Sequence, residues 1–396
     1  MAITKIDITM LEDVSGANNL VKLDANAKIP ATSGAGLSVS PGPLTNASDP
    51  TTSSNKTLGD LWLNSTSGEM YICTDATSGE NVWTNVGAGS GNIAPYHGWG
   101  SSYGYCAAGT LAGPTWTNVN TIDKFSLVTT SNATDVGDLL GTRGNNGSAS
   151  STTHGYSAGG EVNVIEKWSM IADANSTDVG DLVSPHTGSA EGCNSTTYGY
   201  MAGGHPSSTI IQKYSFSTDG DAVDTTADLT AAGRTDRCGG NQSSDYGYCV
   251  GGGQSGNWVT IDKWAFATSA NATDVGDLTN GTWSLGSTSS STYGYTMGGG
   301  TIGHGRGDII DKFSFASDGN ATDVGDMLQN TQRTFGIAST THGYGCGGTN
   351  PTWPGTPSYH PVWTSIEKFS FASDGNSVDT TQDLTQARCS GASSQI

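Results

Sequence analysis

Residues 291–327 read STYGYTMGGGTIGHGRGDIIDKFSFASDGNATDVGDM, and the C-terminal three quarters of the chain repeats this pattern. The stretch holds a Tyr-Gly-Tyr triplet, a Gly-Gly pair, an Ile-Asp-Lys-Phe segment, a turn rich in Asn, Asp and Gly, and an Asp-Met end. A run of small residues precedes the triplet in most copies. Short runs of strand length separated by turn residues predict one four-stranded antiparallel sheet per copy.

An aromatic-Gly-Tyr triplet occurs six times, beginning at residues 103, 154, 198, 246, 293 and 342. Each triplet is followed by a small pair, which is Ala108-Gly109 in the first copy and Gly-Gly in the others, and then by Ile-x-Lys-aromatic. A period of roughly 50 residues is typical of kelch-type propeller repeats. The sequence therefore predicts an all-β fold with a six-bladed β-propeller over residues 93–396.

Each residue type of the repeat has a structural task. The glycine pairs adopt conformations that other residues resist and let neighbouring sheets approach closely. The aromatics of the third strands are expected to fill the space between sheets. The six repeated lysines are predicted to pair with the aspartates of the Asp-Leu or Asp-Met ends, which are Asp138, Asp181, Asp228, Asp277, Asp326 and Asp383.

The order of these segments resembles the kelch repeat over residues 98–396, in the double glycine and in the order of strands. The tryptophan usual in the fourth kelch strand is absent, so the repeat is kelch-like and degenerate. The first copy lacks the Arg-led strand, whereas the chain ends in that strand alone, RCSGASSQI at 388–396. We therefore expect the C-terminus to supply the innermost strand of the first blade, because a strand exchange protects open sheet edges.

The seven cysteines lack CxxC pairs and indicate neither a disulfide framework nor a zinc site. Cys106 and Cys389 occupy repeat positions equivalent to those of Cys249 and Cys238. Each of the pairs Cys106–Cys389 and Cys238–Cys249 could face across adjacent strands, so a disulfide in either pair is one alternative. Buried thiols are the favoured alternative in a reducing site of synthesis.

The first 92 residues lie outside the repeats. NLVKLDANAKIP at 19–30 resembles connector segments of bacteriophage tail-fibre and tail-associated proteins. Such segments are typically extended and trimeric, so the resemblance implies an attachment and oligomerisation arm over 1–43. Residues 44–92 end in a flexible linker and resemble a small β module recurrent in phage tail and fibre proteins. Its aromatics, Trp62, Tyr71 and Trp83, are expected to form its core instead of a sugar-stacking surface.

The chain of 396 residues has a net charge of −20. This charge repels nucleic-acid backbones and anionic membrane surfaces, so neither nucleic-acid binding nor membrane insertion is expected. Residues 1–16 have no apolar core of signal-peptide length. We therefore expect synthesis in a cytoplasm without export.

The loops between second and third strands differ among the copies, whereas the turns between third and fourth strands are nearly uniform. Variable loops on a rigid scaffold usually carry binding, and flat aromatics suit carbohydrate stacking or a protein contact. The candidate ligand-binding residues are Trp116, Trp258, His304, Arg306, Trp353, Tyr359, His360 and Trp363. The alternative is that these tryptophans pack against their own loops.

No cofactor, metal site or catalytic residue is predicted, because neither a nucleophile motif nor a metal signature occurs. Calcium in the turns, through Asp318, Asn320 and Asp323, is a minor alternative. A glycan-processing propeller enzyme is the competing class. Sialidase-like propellers need an arginine cluster and aspartate boxes, whereas this chain has six arginines in total and no such boxes.

These resemblances together imply a bacteriophage virion structural protein, of the tail-fibre or appendage type. Its arm would contact other virion proteins as a homo-oligomer, with a trimer suspected, and its propeller would recognise a host-surface glycan or protein. A head-decoration or head-fibre protein without a receptor role is the alternative. The expected location is the virion, after synthesis in the host cytoplasm.

Overall fold

The computed structural model describes residues 43–86, 100, 102–111, 116–183, 192–204, 208–231, 238–253, 258–300, 307–350 and 361–396. The described residues form strands and no helix, which confirms the all-β class. Nothing in these ranges is a helix long and apolar enough to cross a membrane. The chain divides into two compact units, Met1–Pro95 and Tyr96–Ile396.

The described residues of the first unit form one sheet, in the order β1 (Leu44–Asn46), β2 (Leu61–Asn64), β3 (Met70–Asp75) and β4 (Val82–Asn85). β1 and β2 are parallel, and the other pairs are antiparallel. Trp62, Tyr71, Cys73 and Trp83 form the core, and the two indole centroids lie 5.8 Å apart in an edge contact. Because Tyr71 and Trp83 are fully buried, the predicted aromatic core is confirmed, and these two rings are closed to a sugar.

The second unit contains six four-stranded sheets among its described residues. Sheet 1 combines β28 (Ala392–Gln395) with β5 (Tyr103–Leu111), β6 (Thr117–Ser126) and β7 (Thr134–Arg143). Sheet 2 contains β8 (Asn146–Ser150), β9 (His154–Gly159), β10 (Val164–Ser169) and β11 (Thr177–Asp181). Sheet 3 contains β12 (Gly192–Asn194), β13 (Tyr198–Ala202), β14 (Ile210–Ser215) and β15 (Val223–Asp228).

Sheet 4 contains β16 (Gly239–Gln242), β17 (Tyr246–Val250), β18 (Thr260–Ala265) and β19 (Thr273–Asp277). Sheet 5 contains β20 (Gly286–Ser289), β21 (Tyr293–Met297), β22 (Ile309–Ser314) and β23 (Thr322–Asp326). Sheet 6 contains β24 (Phe335–Ala338), β25 (His342–Cys346), β26 (Ser365–Ser370) and β27 (Val378–Asp383). All strand pairs of sheets 1 to 6 are antiparallel, so each sheet is an up-and-down meander.

The first strands of the six sheets contact one another in a closed cycle. β8 contacts β12, followed by β16, β20, β24 and β28, and β28 contacts β8 again. Serine hydroxyls bridge several of these contacts: Ser287 Oγ donates to Gly240 O at 2.8 Å, and Ser394 Oγ donates to Ala149 O at 3.1 Å. The last strand of the chain therefore stands between the first strands of sheets 6 and 2.

A second set of hydrogen bonds links neighbouring sheets at the turns between third and fourth strands. These turns together form the turn edge. Asp277 N donates to Asn320 Oδ1 of the next sheet at 3.1 Å, and Ala321 N donates back to Asp277 O at 2.7 Å. This pair of bonds recurs at all six junctions, and at the last one Asp383 of sheet 6 bonds to Asn132 of sheet 1. The junction between sheets 6 and 1 is therefore built like the other five.

Aromatic rings and glycines set the spacing between sheets. Tyr295 of sheet 5 contacts Phe369 of sheet 6 with centroids 5.3 Å apart, and Tyr344 of sheet 6 contacts Phe125 of sheet 1 at 6.1 Å. The predicted role of the third-strand aromatics is therefore confirmed. Every member of the six small pairs has a positive φ, and the first pair holds even Ala108 at +59°. This confirms the expected conformational role of the glycine pairs.

The repeated lysine pairs with an aspartate, but the predicted partner is wrong. Lys312 Nζ lies 2.6 Å from Asp374 Oδ1, in the turn of the next sheet, and not next to Asp326. The same geometry joins three further pairs, Lys124–Asp173, Lys167–Asp219 and Lys263–Asp318. The predicted Asp326 instead contributes its backbone N–H, which donates to Asn376 Oδ1. Spacing within one copy carries no information about this partner, because the pair joins two different copies.

Candidate functional site

The loop edge is the side of the sheets opposite the turn edge. Here the residues that lead into first strands contact the residues that follow second strands. The loop edge is held together by isolated bridges at Thr110–Cys389, Trp283–Gly300 and Gln332–Thr349. Three candidate site residues are described there, namely Trp116, Trp258 and Trp363. The other five, His304, Arg306, Trp353, Tyr359 and His360, lie outside the described residues.

Trp116 is the most open of the three described candidates. It precedes β6 in sheet 1 and is 46% exposed. The guanidinium carbon of Arg333, which precedes β24 in sheet 6, lies 5.8 Å from the centre of the Trp116 ring. Cation–π contacts of this length are attractive. The structure thus brings a candidate of sheet 1 into contact with a cation of sheet 6, across the junction between these two sheets.

Trp258 and Trp363 are half-buried. The backbone N–H of Trp363 donates to Gly348 O at 3.0 Å, and Trp363 O accepts from Arg388 N at 3.2 Å, so this residue is tied into sheet 6. The indole Nε1 atoms of both Trp258 and Trp363 are buried. Their environment favours the alternative in which they pack their own loops. Trp258 also belongs to sheet 4, which is adjacent to neither sheet 6 nor sheet 1.

The sequence pattern did not single out Arg333 as a site residue. Its φ is +57°, a left-handed conformation shared by three residues at the equivalent repeat position, which are Asn145, Ser284 and Ser390. Backbone bonds join these positions in series, because Arg333 N donates to Ser284 O at 2.6 Å and Ser390 N donates to Arg333 O at 2.9 Å. The available signal was a cation at this position, Arg333 in sheet 6 and Arg237 in the copy of sheet 4, where other copies carry asparagine or serine.

Arg333 also differs from the other described arginines in its partners. Arg388 and Asp123 are both fully buried, and their Nη2 and Oδ2 atoms lie 3.1 Å apart. Arg143 makes an equivalent buried pair with Glu166. Arg333 is half-buried, and none of the described carboxylates lies within ion-pair distance of it.

A buried polar residue occupies the x position of every Ile-x-Lys segment, a feature that the sequence analysis missed. These residues are Asp123, Glu166, Gln212, Asp262, Asp311 and Glu367. Each accepts the backbone N–H of the residue that follows the Asp-Leu or Asp-Met end of the preceding sheet, as Asp311 does from Thr279 at 3.0 Å. Burial raises the pKa of Asp311, against the opposing effect of its bonds to Thr279. The row is structural, because it repeats at every junction.

The turn edge carries a cleft of about 540 Å³ on sheet 1 that the sequence analysis did not anticipate. Tyr103, 40% exposed, lies beneath Lys124, whose Nζ is 4.4 Å from the ring centre. Lys124 is neutralised by Asp173 at 2.8 Å. Because the lysine-acid pair recurs in other sheets, this arrangement shows no specialisation for a ligand.

The turn oxygens considered for calcium are engaged with protein donors. Asp318 Oδ1 accepts from Lys263 Nζ at 2.8 Å, Asn320 Oδ1 accepts from Asp277 N, and Asp323 Oδ1 accepts from Gly325 N at 3.2 Å. Within the part of the chain that the structure describes, no group of three or more His, Cys, Asp or Glu side chains is placed to hold a metal ion.

All seven cysteines are buried free thiols, so neither Cys106–Cys389 nor Cys238–Cys249 is a disulfide in this structure. The neighbour of the Cys106 thiol is Cys346 of sheet 6, and burial together with Cys106 holds the pKa of Cys346 well above its usual range. The expectation of buried thiols is confirmed. A scan against models of protein families and a search of curated proteins found no match to this chain.

Proposed function

We propose that residues 93–396 form a six-bladed, kelch-like β-propeller in which sheets 1 to 6 are the blades. The closed cycle of first-strand contacts supports this proposal, as does the equivalence of all six junctions at the turn edge. The pairing of β28 with β5 completes the first blade with a strand from the other end of the chain. Such an exchange leaves no unpaired inner edge and fastens the ring.

The function proposed for the whole chain is that of a bacteriophage virion structural protein, of the tail-fibre or appendage type. The resemblance of residues 19–30 and of the small module at 44–92 to phage tail segments supports this assignment. In this proposal residues 1–43 attach the protein to other virion proteins as a homo-oligomer, with a trimer expected. The propeller then faces outward and binds a host-surface glycan or protein without catalysis.

The observation that carries the recognition role is the contrast between the two edges of the six sheets. The turn edge repeats the same bonds at every junction, so it serves the scaffold. The loop edge varies from copy to copy and holds a tryptophan that is 46% exposed against a cation from the next sheet. A large aromatic at the surface of a rigid scaffold is a common feature of binding sites.

Two measurements test the proposal. A reconstruction of the virion with labelled antibody against the propeller should place it on the tail or an appendage. The purified full-length chain should bind cells of the phage host and compete with the phage for adsorption. Trp116→Ala should weaken this binding at least tenfold at unchanged melting temperature, whereas Trp62→Ala, in the first unit, should leave the propeller's binding intact.

Location of the chain on the head, with no binding to host cells, would support the head-decoration alternative and overturn the proposed recognition role. Binding that survives Trp116→Ala unchanged would move the site away from the junction of sheets 6 and 1. Turnover of a host glycan by the purified chain would place it in the enzyme class instead.

A further inference from the structure

We propose that Arg333 and Trp116 form a binding site for the carboxylate of an acidic sugar, at the loop edge between sheets 6 and 1. This inference rests on the proposed recognition of a host-surface ligand and specifies its chemical class. Arg333 supplies the donors for the carboxylate, and Trp116 supplies a flat apolar surface for the pyranose ring.

The first argument is the backbone of Arg333. A non-glycine residue at φ +57° is strained, and Asn is among the side chains that tolerate this region best. The equivalent positions carry Asn145, Ser284 and Ser390 in three other sheets, and the copy of sheet 4 carries Arg237. The scaffold therefore accepts a short side chain at this position in several copies, so the long cation of Arg333 is not required for this backbone conformation.

The second argument is the unbalanced charge of Arg333. Its Nε is buried and has no hydrogen-bond partner, and no described carboxylate pairs with the group. The neighbouring Cys389 does not balance it, because burial raises the pKa of that thiol against the opposing effect of Arg333. A half-buried cation without a counter-ion is unfavourable, and a bound anion would relieve this cost.

The third argument selects the kind of anion. A guanidinium binds carboxylate or phosphate in a forked, bidentate geometry. The half-exposed Trp116 ring against the guanidinium adds an apolar face, which bare phosphate cannot use but the C–H face of a sugar can. Both groups together fit a pyranose that carries a carboxylate, as uronic and sialic acids do.

The experiment measures binding of defined probes to the full-length chain by saturation-transfer NMR and calorimetry. The probes are glucuronic acid and galacturonic acid, with glucose and galactose as their uncharged matches, and N-acetylneuraminic acid, with its methyl ester as its uncharged match. Inorganic phosphate is the bare anion. At least one acidic sugar should bind, and its uncharged match should bind at least tenfold more weakly.

The key variant is Arg333→Ser, because serine is the residue at the equivalent positions 284 and 390. It should lose binding of the acidic sugar at least tenfold while its melting temperature stays equal or rises. Arg333→Lys should retain part of the affinity, since the charge remains but the fork is lost. Trp258→Ala, in sheet 4, is the matched control and should bind as the wild type does.

Equal binding of the acidic and uncharged sugars, or wild-type affinity in Arg333→Ser, overturns the inference. Binding of phosphate alone, or of no probe, overturns it as well. Adsorption to host cells distinguishes this failure from failure of the proposed function. If Arg333→Ser binds host cells like the wild type, the recognition role stands and only the acidic-sugar site is lost.

Discussion

Glu367, the buried acid of sheet 6, provides a direct test of how the junctions tolerate charge. Its Oε2 accepts hydrogen bonds from Leu328 N at 2.8 Å and from Ser377 Oγ. Because both donors meet one oxygen, Glu367→Gln retains both bonds through the amide oxygen and removes the charge. Gln212 of sheet 3 already holds this arrangement, accepting from Val183 N at 2.8 Å.

The sign of the effect follows from the pKa. Burial raises the pKa of Glu367 above its ordinary value of 4.5, so the folded protein holds this proton more tightly than the unfolded chain does. The resulting stabilisation is fully present below the unfolded pKa and is lost as the pH rises through the folded pKa. Glu367→Gln has no carboxyl to ionise, so its stability does not fall in this pH range through this residue. Its free energy of unfolding should therefore gain on that of the wild type as the pH rises from about 4 to about 7.

The magnitudes separate the two substitutions at this site. Glu367→Ala leaves the Leu328 N–H and the Ser377 hydroxyl without their acceptor, which should cost about 2–4 kcal/mol. Glu367→Gln should lie within about 1 kcal/mol of the wild type or above it at neutral pH, because no donor loses its partner. Urea unfolding followed by tryptophan fluorescence at several pH values measures both quantities.

A reciprocal change in sheet 3 provides the control. The two sheets with Glu at this position carry Ser176 and Ser377 in the turn, whereas the sheet with Gln212 carries Ala222. Gln212→Glu should therefore destabilise the protein at neutral pH, and adding Ala222→Ser should restore about 1 kcal/mol. The reasoning is refuted if Glu367→Gln is destabilised at neutral pH by as much as Glu367→Ala, or if its advantage does not change with pH.

A deletion and a glycine substitution, the latter with a matched control, probe the junctions between sheets. Deletion of residues 388–396 removes β28 and Arg388, which pairs with Asp123. The buried charge of Asp123 is then left alone, which should lower the free energy of unfolding by about 3–5 kcal/mol. A wild-type melting temperature of the deletion variant would contradict the role of this strand. Gly276→Ala places a Cβ 2.2 Å from Gly319 O of the next sheet and should cost about 1–3 kcal/mol. Gly141→Ala meets nothing closer than 3.6 Å and should change stability by less than about 0.5 kcal/mol in the same thermal melts.

Much of the fold was readable from the repeat because its signals are local. The run Ile310 to Phe313 lies inside β22, and the triplet at 293–295 begins β21. In β21 the four residues after Tyr293 are all buried, and in β22 Ile310, Asp311 and Phe313 are buried while Lys312 is partly exposed. The truncated first copy and the surplus strand at the C-terminus are also visible in the sequence, and the structure pairs β28 with β5.

Contacts between copies were less readable. Each copy offers more than one aspartate. The lysines are predicted to pair with the aspartates of the Asp-Leu or Asp-Met ends, whereas Lys312 reaches Asp374 in the turn of the next sheet. The buried acids show the same limit. Asp appears where the preceding sheet ends in Thr, as with Asp311 and Thr279, because the short carboxylate binds both the N–H and the hydroxyl. This correlation is present in the sequence, but its cause is the hydrogen bonding between neighbouring sheets, which the sequence does not show.

The position of Arg333 shows why a repeat protein can reveal a site through its exceptions. Junction residues that serve the ring recur from sheet to sheet, and their substitution should cost stability. The interlocking tyrosine occurs in all six sheets, whereas the turn asparagine and the buried acid occur in five each, with Asp221 and Gln212 in the remaining copies. Arg333 instead occupies a position that is Asn or Ser in three other described sheets, adopts a strained φ and has no counter-ion among the described residues. A residue that the scaffold does not need, placed against a half-exposed tryptophan, should cost binding and not stability when it is replaced. Measuring both quantities on Arg333→Ser therefore separates recognition from folding in one variant.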